Sequence, residues 1–518
     1  MTHEPAPPIP PSVGEARGRA LPHVLFMTAG MASARVFGVV STFLVANLLG
    51  REGMGVWGVL RLIYVYGGIS HLGVLEAYRK EVPRLRSAGE DVEAGRVESL
   101  ALGMALLSST LVTLLSILVV AAARVFRSQS SLAVHSLSIL AMFLSVFGGI
   151  LGTLFFDRFT IRHFFEQASI LRGLRGTVYL VFLPLGAWLG GVTGAALGFA
   201  ASEWAVTFAA VVLARGKCPP ILPQVDVKRL AQLIAIGLPI TLVWTAYLLE
   251  STFDRIVTMS LLGSAQTGLY FMGVTLASVI QMLPEALSRV FNPRLNERMG
   301  ASSDPSEVAA LVWRPARTLA WILPLATGMV AICLDPLYRT LLPDFVPGVE
   351  SARILVLGAL MPALLYLGID FMVAINEQRK LLVVIPASIA FNLIGNWSVV
   401  KLGFGIEGVA AITVLTNALV ALYLWARAGS CLEDQGRWRT LLLLGAGWGA
   451  SAALVAAYTA LAGTRAPGWG PALIGGGLFA LVYVMALLSF PTSRHWVRED
   501  LAQILSFGRG LARPGSSR

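Results

Sequence analysis

Charge is what this sequence has least of. Asp, Glu, Lys and Arg make up only 13% of its 518 residues, against roughly 25% in an average soluble domain. A soluble chain of this length would have too few charges to cover its own surface, which argues against a water-soluble globular protein. Cysteine is also scarce. Cys218, Cys333 and Cys431 stand far apart, match no metal-ligand spacing and give no disulfide framework. There is no Walker A loop, no HExxH, no nucleophile elbow and no pair of catalytic carboxylates on a loop. ATP-driven pumping by this chain alone is therefore disfavoured. No catalytic residue, metal ligand or cofactor is expected.

What fills the chain instead is apolar. Hydrophobic residues make up 56% and the mean hydropathy is +0.73. A membrane helix needs about 20 mainly apolar residues. Candidate runs of that kind lie at roughly 24–49, 54–77, 97–123, 132–156, 168–189, 192–214, 230–262, 267–291, 312–334, 350–375, 381–401, 405–427, 438–462 and 472–490. The 230–262 run is long enough to tilt or to break at Pro239. No connection is long enough for a soluble catalytic domain. The first run exceeds the ~7–15-residue apolar core of a signal peptide, so it is read as a retained span. The Pro-rich residues 1–23 are expected to be a disordered cytoplasmic tail.

There are 40 Lys and Arg against 29 Asp and Glu, a net charge of +11. The basic residues sit in short segments between apolar runs, a pattern of membrane orientation rather than of nucleic-acid binding. With the N-terminus inside, 30 of the 40 fall in inner segments, 7 in outer segments and 3 within spans. Both termini are therefore expected to be cytoplasmic, with an even number of spans.

The chain also repeats itself. Leu48-Leu49-Gly50, four residues, then Gly55-Val56-Trp57 is echoed by Leu261-Leu262-Gly263, four residues, then Gly268-Leu269-Tyr270. A second echo sets Gly191-Val192-Thr193-Gly194-Ala195-Ala196 against Gly405-Ile406-Glu407-Gly408-Val409-Ala410. The two offsets differ by one residue, and both echoes fall at expected outer turns. The fold class expected is an all-α integral membrane protein of about fourteen transmembrane helices. Two six-helix lobes would be related by a pseudo-two-fold axis along the membrane normal, with two extra C-terminal helices. The lobes would cover 24–214 and 230–427, with a cytoplasmic linker at 215–229, added helices at 428–490 and a cytoplasmic tail at 491–518.

Few ionisable residues fall deep within spans. Arg35 lies near the middle of the first, Arg61 about two turns into the second, and Glu250, Asp254 and Arg255 in the outer half of the seventh. Glu203, Glu285 and Asp370 are further candidates. A charge at a helix centre costs about 2.5–3.5 kcal/mol on the insertion scale, so such residues face a water-filled cavity or each other. Two readings stay open: ion pairs such as Arg35 with Glu250 or Asp254, or a basic cavity that receives an anion. Arg61 and Arg255 also have the option of reaching the interface. Gly30, Ala34 and Gly38, spaced by four, allow another helix close to the first span. Asn392 and Asn396, one turn apart, either line the cavity or bond a neighbouring helix. His71 and His163 are single histidines with no metal spacing.

These features resemble the polysaccharide-flippase branch of the multidrug/oligosaccharidyl-lipid/polysaccharide (MOP) exporter superfamily. The residues that carry the likeness are Ala46-Asn47-Leu48-Leu49-Gly50 to Gly55-Val56-Trp57, Gly237-Leu238-Pro239, Asp254-Arg255-Ile256, Leu262-Gly263 to Gly268-Leu269-Tyr270, and Phe291-Asn292-Pro293. The likeness spans roughly 24–490. It implies two six-helix lobes around a central cavity and translocation of an undecaprenyl-diphosphate-linked oligosaccharide across the bacterial cytoplasmic membrane. By span position it implies that Arg35, Arg61 and Arg255 form a cationic cavity for the diphosphate. Glu250 or Asp254 would carry a coupling ion, and Asn392 and Asn396 would line the cavity. The partners implied are the lipid-linked oligosaccharide, membrane lipids, and a polysaccharide polymerase with glycosyltransferases; no nucleic acid is expected. The rivals are a multidrug/cation antiporter of the same superfamily, a lipid II flippase, and a membrane-embedded glycan polymerase or ligase.

Overall fold

The computed structural model describes residues 13–126, 135–162, 164–250, 252–282, 284, 305–375, 377–432, 437–462 and 468–489. Residues 1–12, the C-terminal tail, His163, Glu285, Arg465 and the Phe291-Asn292-Pro293 motif lie outside the described residues. Residues 13–23, expected in the disordered tail, are instead helical and open α1. The regular elements described are helical throughout: α1 Val13–Gly67, α2 Val74–Ser87, α3 Asp91–Phe126, α4 Ser136–Ile161, α5 Phe165–Arg215, α6 Val227–Glu250, α7 Phe253–Ile280, α8 Pro305–Leu341, a 3₁₀ turn Pro343–Gly348, α9 Val349–Leu357, α10 Leu360–Ala374, α11 Gln378–Lys401, α12 Gly405–Gly429, α13 Arg437–Ala462 and α14 Trp469–Ser489. Ten stretches among the described residues are long and apolar enough to cross a membrane. Two of the ten, in α1 and α5, are each two helices joined across a kink, at Gly50 and at Gly190-Gly191. The chain is an all-α, multi-pass membrane protein.

The glycines of the repeat explain the turns. Gly50 (φ 64°) and its echo Gly263 (φ 84°) interrupt α1 and α7 in the left-handed region, as do Gly191 (φ 56°) and its echo Gly405 (φ 60°). A side chain is disfavoured at such φ values, and glycine is not. The second glycine of each motif serves close approach instead. A Cβ on Gly55 would fall 1.9 Å from the Ser264 carbonyl oxygen, and one on Gly268 would fall 1.9 Å from the Arg51 carbonyl oxygen. Residue 55 against 264 and 268 against 51 is a reciprocal pair at the repeat offset, the signature of a local two-fold.

Two expected spans are divided. The run at 54–77 ends as a helix at Gly67, and after a turn containing Leu72 (φ 50°) and Gly73 (φ 85°) α2 begins separately. The run at 230–262 does not break at Pro239, which sits inside α6; α6 ends at Glu250 and α7 starts at Phe253. Polar chemistry ends the helix there. The Thr252 hydroxyl donates to the Leu248 carbonyl at 2.6 Å, and Asp254 in the first turn of α7 suits that helix's positive end.

The described residues pack as two compact units, one within Met1–Leu49 and Val59–Thr245, the other within Gly50–Gly58 and Ala246–Arg518. Gly237 of α6 meets Gly73 so closely that a Cβ would lie 1.8 Å from the Gly73 carbonyl oxygen, which ties the start of α6 to unit 1. The core of unit 1 includes Val74, Tyr78, Val97, Ala101, Val146 and Leu154. That of unit 2 includes Trp313, Leu319, Leu364, Phe371, Leu424 and Trp425. Within unit 2, α14 packs on α8 through Phe479 against Gly328, and the Tyr483 hydroxyl donates to the Trp321 carbonyl at 3.1 Å. Leu111, Leu114 and Leu118 of α3 and Leu473, Leu478 and Leu481 of α14 are exposed. In lipid this is no penalty, because contact between helices is won by close packing rather than by escape from water.

Candidate functional site

Inside unit 1, charged and aromatic side chains meet between the apolar helices α1 and α5. Arg61 and Tyr64 are three residues apart on α1, Arg175 and Tyr179 four apart on α5, and Phe199 and Glu203 four apart further along α5. Each pair therefore shares one helix face. Arg175 Nη2 donates to Glu203 Oε1 at 2.7 Å, to the Tyr64 hydroxyl at 2.7 Å and to the Tyr179 hydroxyl at 3.4 Å. The Arg61 guanidinium sits 5.7 Å from the Phe199 ring centroid. Tyr64 meets the edge of Phe199 at 5.0 Å and Tyr179 stacks on it at 5.3 Å. Glu203 is 3% exposed, whereas Arg175 is 38% exposed. Gly149 makes the room: a Cβ there would lie 2.6 Å from the Tyr64 hydroxyl oxygen. One guanidinium, Arg175, binds the Glu203 carboxylate, and a second, Arg61, lies over the Phe199 ring.

Unit 2 holds a different arrangement. Asp254 is buried, its Oδ2 accepting from the Tyr270 hydroxyl at 2.5 Å and its Oδ1 from the Arg255 backbone N–H at 2.8 Å. The Tyr270 hydroxyl is also 3.3 Å from Thr413 Oγ1. One turn along α12, Thr416 accepts from Asn392 Nδ2 at 3.3 Å, and Asn392 Oδ1 accepts from Asn396 Nδ2 at 2.8 Å. Asn396 Oδ1 is buried with no hydrogen-bond partner among the described residues. The Arg255 guanidinium lies 5.2 Å from the Phe271 ring centroid, and its Nε is likewise buried without an acceptor there. This is a polar seam across α7, α11 and α12 with acceptor oxygens to spare.

No protein-family model matches the chain, and no curated protein matches it. Solved structures do. Lipid II flippase MurJ in an inward closed conformation superposes with a TM-score of 0.69 at 13% identity, over 90% of this chain and 99% of that one. An inward-facing multidrug resistance MATE transporter of the MOP superfamily gives 0.64 at 15% identity, over 79% and 95%. A MOP superfamily transporter from Pyrococcus furiosus, described as having a binding pocket of reversed polarity, gives 0.56 at 15% identity, over 81% and 95%. The chain has the MOP transporter fold.

Within that MOP fold the expected site residues separate by unit. Arg35 and Arg61 belong to unit 1 and Arg255 to unit 2. Arg35 is half-buried on the first limb of α1. Its neighbour Ala34 is the close-approach point of the Gly30/Ala34/Gly38 row: a Cβ on Gly176 would come within 2.6 Å of Ala34 Cα, while Gly38 has open space around it. Asp254 takes its hydrogen bonds from Tyr270 and backbone, and the Glu250 side chain lies outside the described residues. Asn392 and Asn396 bond a neighbouring helix and each other. Arg175, counted among the inner basic residues although it falls in the 168–189 run, sits within α5, where it binds Glu203. Tyr64, Arg175, Tyr179 and Phe199 were not foreseen. The adjacent Gly148-Gly149 pair on α4, which leaves room for Tyr64 and Glu203, was the available signal.

His71 and Glu377 are among the perturbed titratable groups outside the spans. Burial pushes His71 down to about 4, and its Nδ1 accepts from the Gly73 N–H at 3.1 Å, a bond that needs the neutral ring. Hydrogen bonds from Arg427, and then from Lys380, hold Glu377 down at about 2.

Proposed function

We propose that the chain is a flippase that moves a lipid-diphosphate-linked oligosaccharide across the bacterial cytoplasmic membrane by alternating access, for polysaccharide biosynthesis. The observation that carries this reading is the pair of guanidiniums in the unit 1 cluster. Arg175 binds Glu203, and Arg61 lies over the Phe199 ring, which Tyr64 and Tyr179 also meet. Guanidinium forks match the oxygens of a diphosphate. A site for organic cations calls for carboxylates in that place instead.

In this reading Arg35, Arg61 and Arg255 hold the diphosphate while the lipid tail stays in the bilayer. One charge pair at about 4 Å and an effective dielectric near 20 gives roughly 4 kcal/mol before desolvation. Glu250 or Asp254 carries the coupling proton or sodium, and Asn392 and Asn396 line the cavity. Repeat lobes at 24–214 and 230–427 form the moving halves, and both termini face the cytoplasm. The likeness to a lipid II flippase over 90% of the chain supports a lipid-linked substrate. Lipid II itself is the nearest alternative cargo. A multidrug/cation antiporter is the second reading, favoured by the buried carboxylate of Asp254.

Proteoliposomes holding the purified protein and a fluorescent lipid-diphosphate oligosaccharide test the proposal. Arg35→Ala and Arg61→Ala should each lower transfer per molecule by at least about tenfold. The Lys variants should keep part of it, since a point charge still attracts phosphate. Unchanged transfer in both Ala variants would exclude the anion-binding role. Extrusion of an organic cation without glycan transfer would select the antiporter, and polymer formed by the protein would select the polymerase.

A further inference from the structure

A second charged site lies at the ends of α2, α3 and α4 in unit 1, apart from the intramembrane cluster. Its centre is Glu98, 1% exposed, which accepts from three guanidiniums at once. Arg86 Nη2 reaches it at 2.5 Å, Arg158 through Nη2 at 3.2 Å and Nε at 3.3 Å, and Arg162 Nη2 at 3.1 and 3.3 Å. A carboxylate offers about four lone-pair sites, so Glu98 has no further capacity. The guanidiniums do, since each carries five N–H donors. Arg158 sends Nη2 to the Pro219 carbonyl at 2.8 Å. Arg162 Nε is buried with no acceptor among the described residues.

A cavity of about 440 Å³ opens against this knot, lined by Arg86, Asp91, Glu98, Ser99, Arg162 and the backbone around 219–221. Arg86 and Arg162 keep 22% and 18% of their side chains exposed, whereas Arg158 keeps 2%. The two half-open arginines are thus the ones that line the cavity. The far wall is fixed in place. Gln224 N–H donates to the Ser99 carbonyl at 3.1 Å, and a Cβ on Gly103 would lie 1.9 Å from the Gln224 carbonyl oxygen. Asp91 is the second carboxylate at the rim, so three guanidiniums face two carboxylates. The volume falls within the range of small-ligand pockets.

We propose that this cavity binds the phosphate group of an anionic ligand through Arg86 and Arg162, with Glu98 and Arg158 holding the two forks in position. Arginine pairs of this kind match phosphate oxygens in shape as well as charge. A soluble phosphate and a lipid headgroup phosphate share this chemistry, and the test separates them. The site does not depend on the transport reading, because its residues are distinct from the intramembrane arginines.

Calorimetry on the full-length protein in phosphatidylcholine nanodiscs, titrated with inorganic pyrophosphate, reads the soluble source. Native mass spectrometry after release from nanodiscs with and without phosphatidylglycerol reads the lipid source. Binding is expected in at least one arm. In that arm Arg86→Gln and Arg162→Gln should each weaken it by about tenfold or more, while Arg84→Gln, at an exposed arginine of α2 that pairs with Glu81, leaves it unchanged. Arg86→Lys and Arg162→Lys, which keep the charge, serve if the Gln variants fail to fold, and should weaken binding by a smaller factor. Failure of both probes, wild-type affinity in the Arg86 and Arg162 variants, or an equal loss of binding through Arg84→Gln would each overturn the proposal.

Discussion

Glu203 is a carboxylate placed inside a span, and its stability there rests on Arg175. Removing one partner of a buried pair commonly costs about 3–5 kcal/mol because the other charge is stranded. Arg175 is partly exposed, which lowers the figure here to on the order of 1–3 kcal/mol. Glu203→Gln should therefore reduce thermal stability in detergent by that amount, and adding Arg175→Leu should restore much of it. A single mutant as stable as wild type would show the pair to be dispensable. Glu203 was legible as an intramembrane charge because its surroundings are apolar for many residues on both sides. Arg175 was not singled out: it falls within the 168–189 run, but Arg162 and Arg172 lie close by in sequence and it was counted with them among the inner basic residues. The structure places it well inside α5, which starts at Phe165. Asp254 was legible as buried, but not its partner: hydrogen bonds from Tyr270 and backbone satisfy it without a cation, and the sequence spacing does not distinguish the two.

At the scale of helices, the two glycine motifs were the most legible feature. Each first glycine adopts positive φ and each second glycine admits a crossing backbone. The crossing is reciprocal, so its two glycines should respond alike. Gly55→Ala and Gly268→Ala should each destabilise the protein by about 1–3 kcal/mol through overpacking. The double variant should cost less than the sum, because one shift of the crossing relieves both clashes. Gly38→Ala, with open space around it, should be neutral or stabilise by up to about 1 kcal/mol. Thermal unfolding of the four variants in one detergent checks the series, and a loss at Gly38 equal to that at Gly55 would contradict it. Helix ends inside continuous apolar runs were not legible. Hydropathy does not change at Gly67 or near Thr252, whereas the backbone does, through left-handed residues in one case and a side-chain bond to a carbonyl in the other.

For the molecule as a whole, composition decided the class, because a chain with 13% charge and fourteen apolar runs has no soluble solution. Packing follows whichever helices approach most closely, and Gly73 with Gly237 joins the start of α6 to the first compact unit. Orientation rests on the basic residues alone. Arg215, Lys217, Lys228 and Arg229 flank the connection between α5 and α6, and Arg379 and Lys380 open α11, whereas the connection between α11 and α12 offers only Lys401. By the positive-inside rule the first two regions are cytoplasmic and the third is not. Reporter fusions at Pro220 and at the C-terminus should therefore read inside, and fusions at Leu402 and Arg465 outside. The last pair tests α13 and α14 independently of the repeat. If Arg465 and the C-terminus read the same side, those two helices do not both cross, and the even count of spans is lost. If Pro220 and Leu402 exchange sides, the whole chain is inverted, and the arginine-lined cavity at the ends of α2 to α4 faces the outside instead of the cytoplasm.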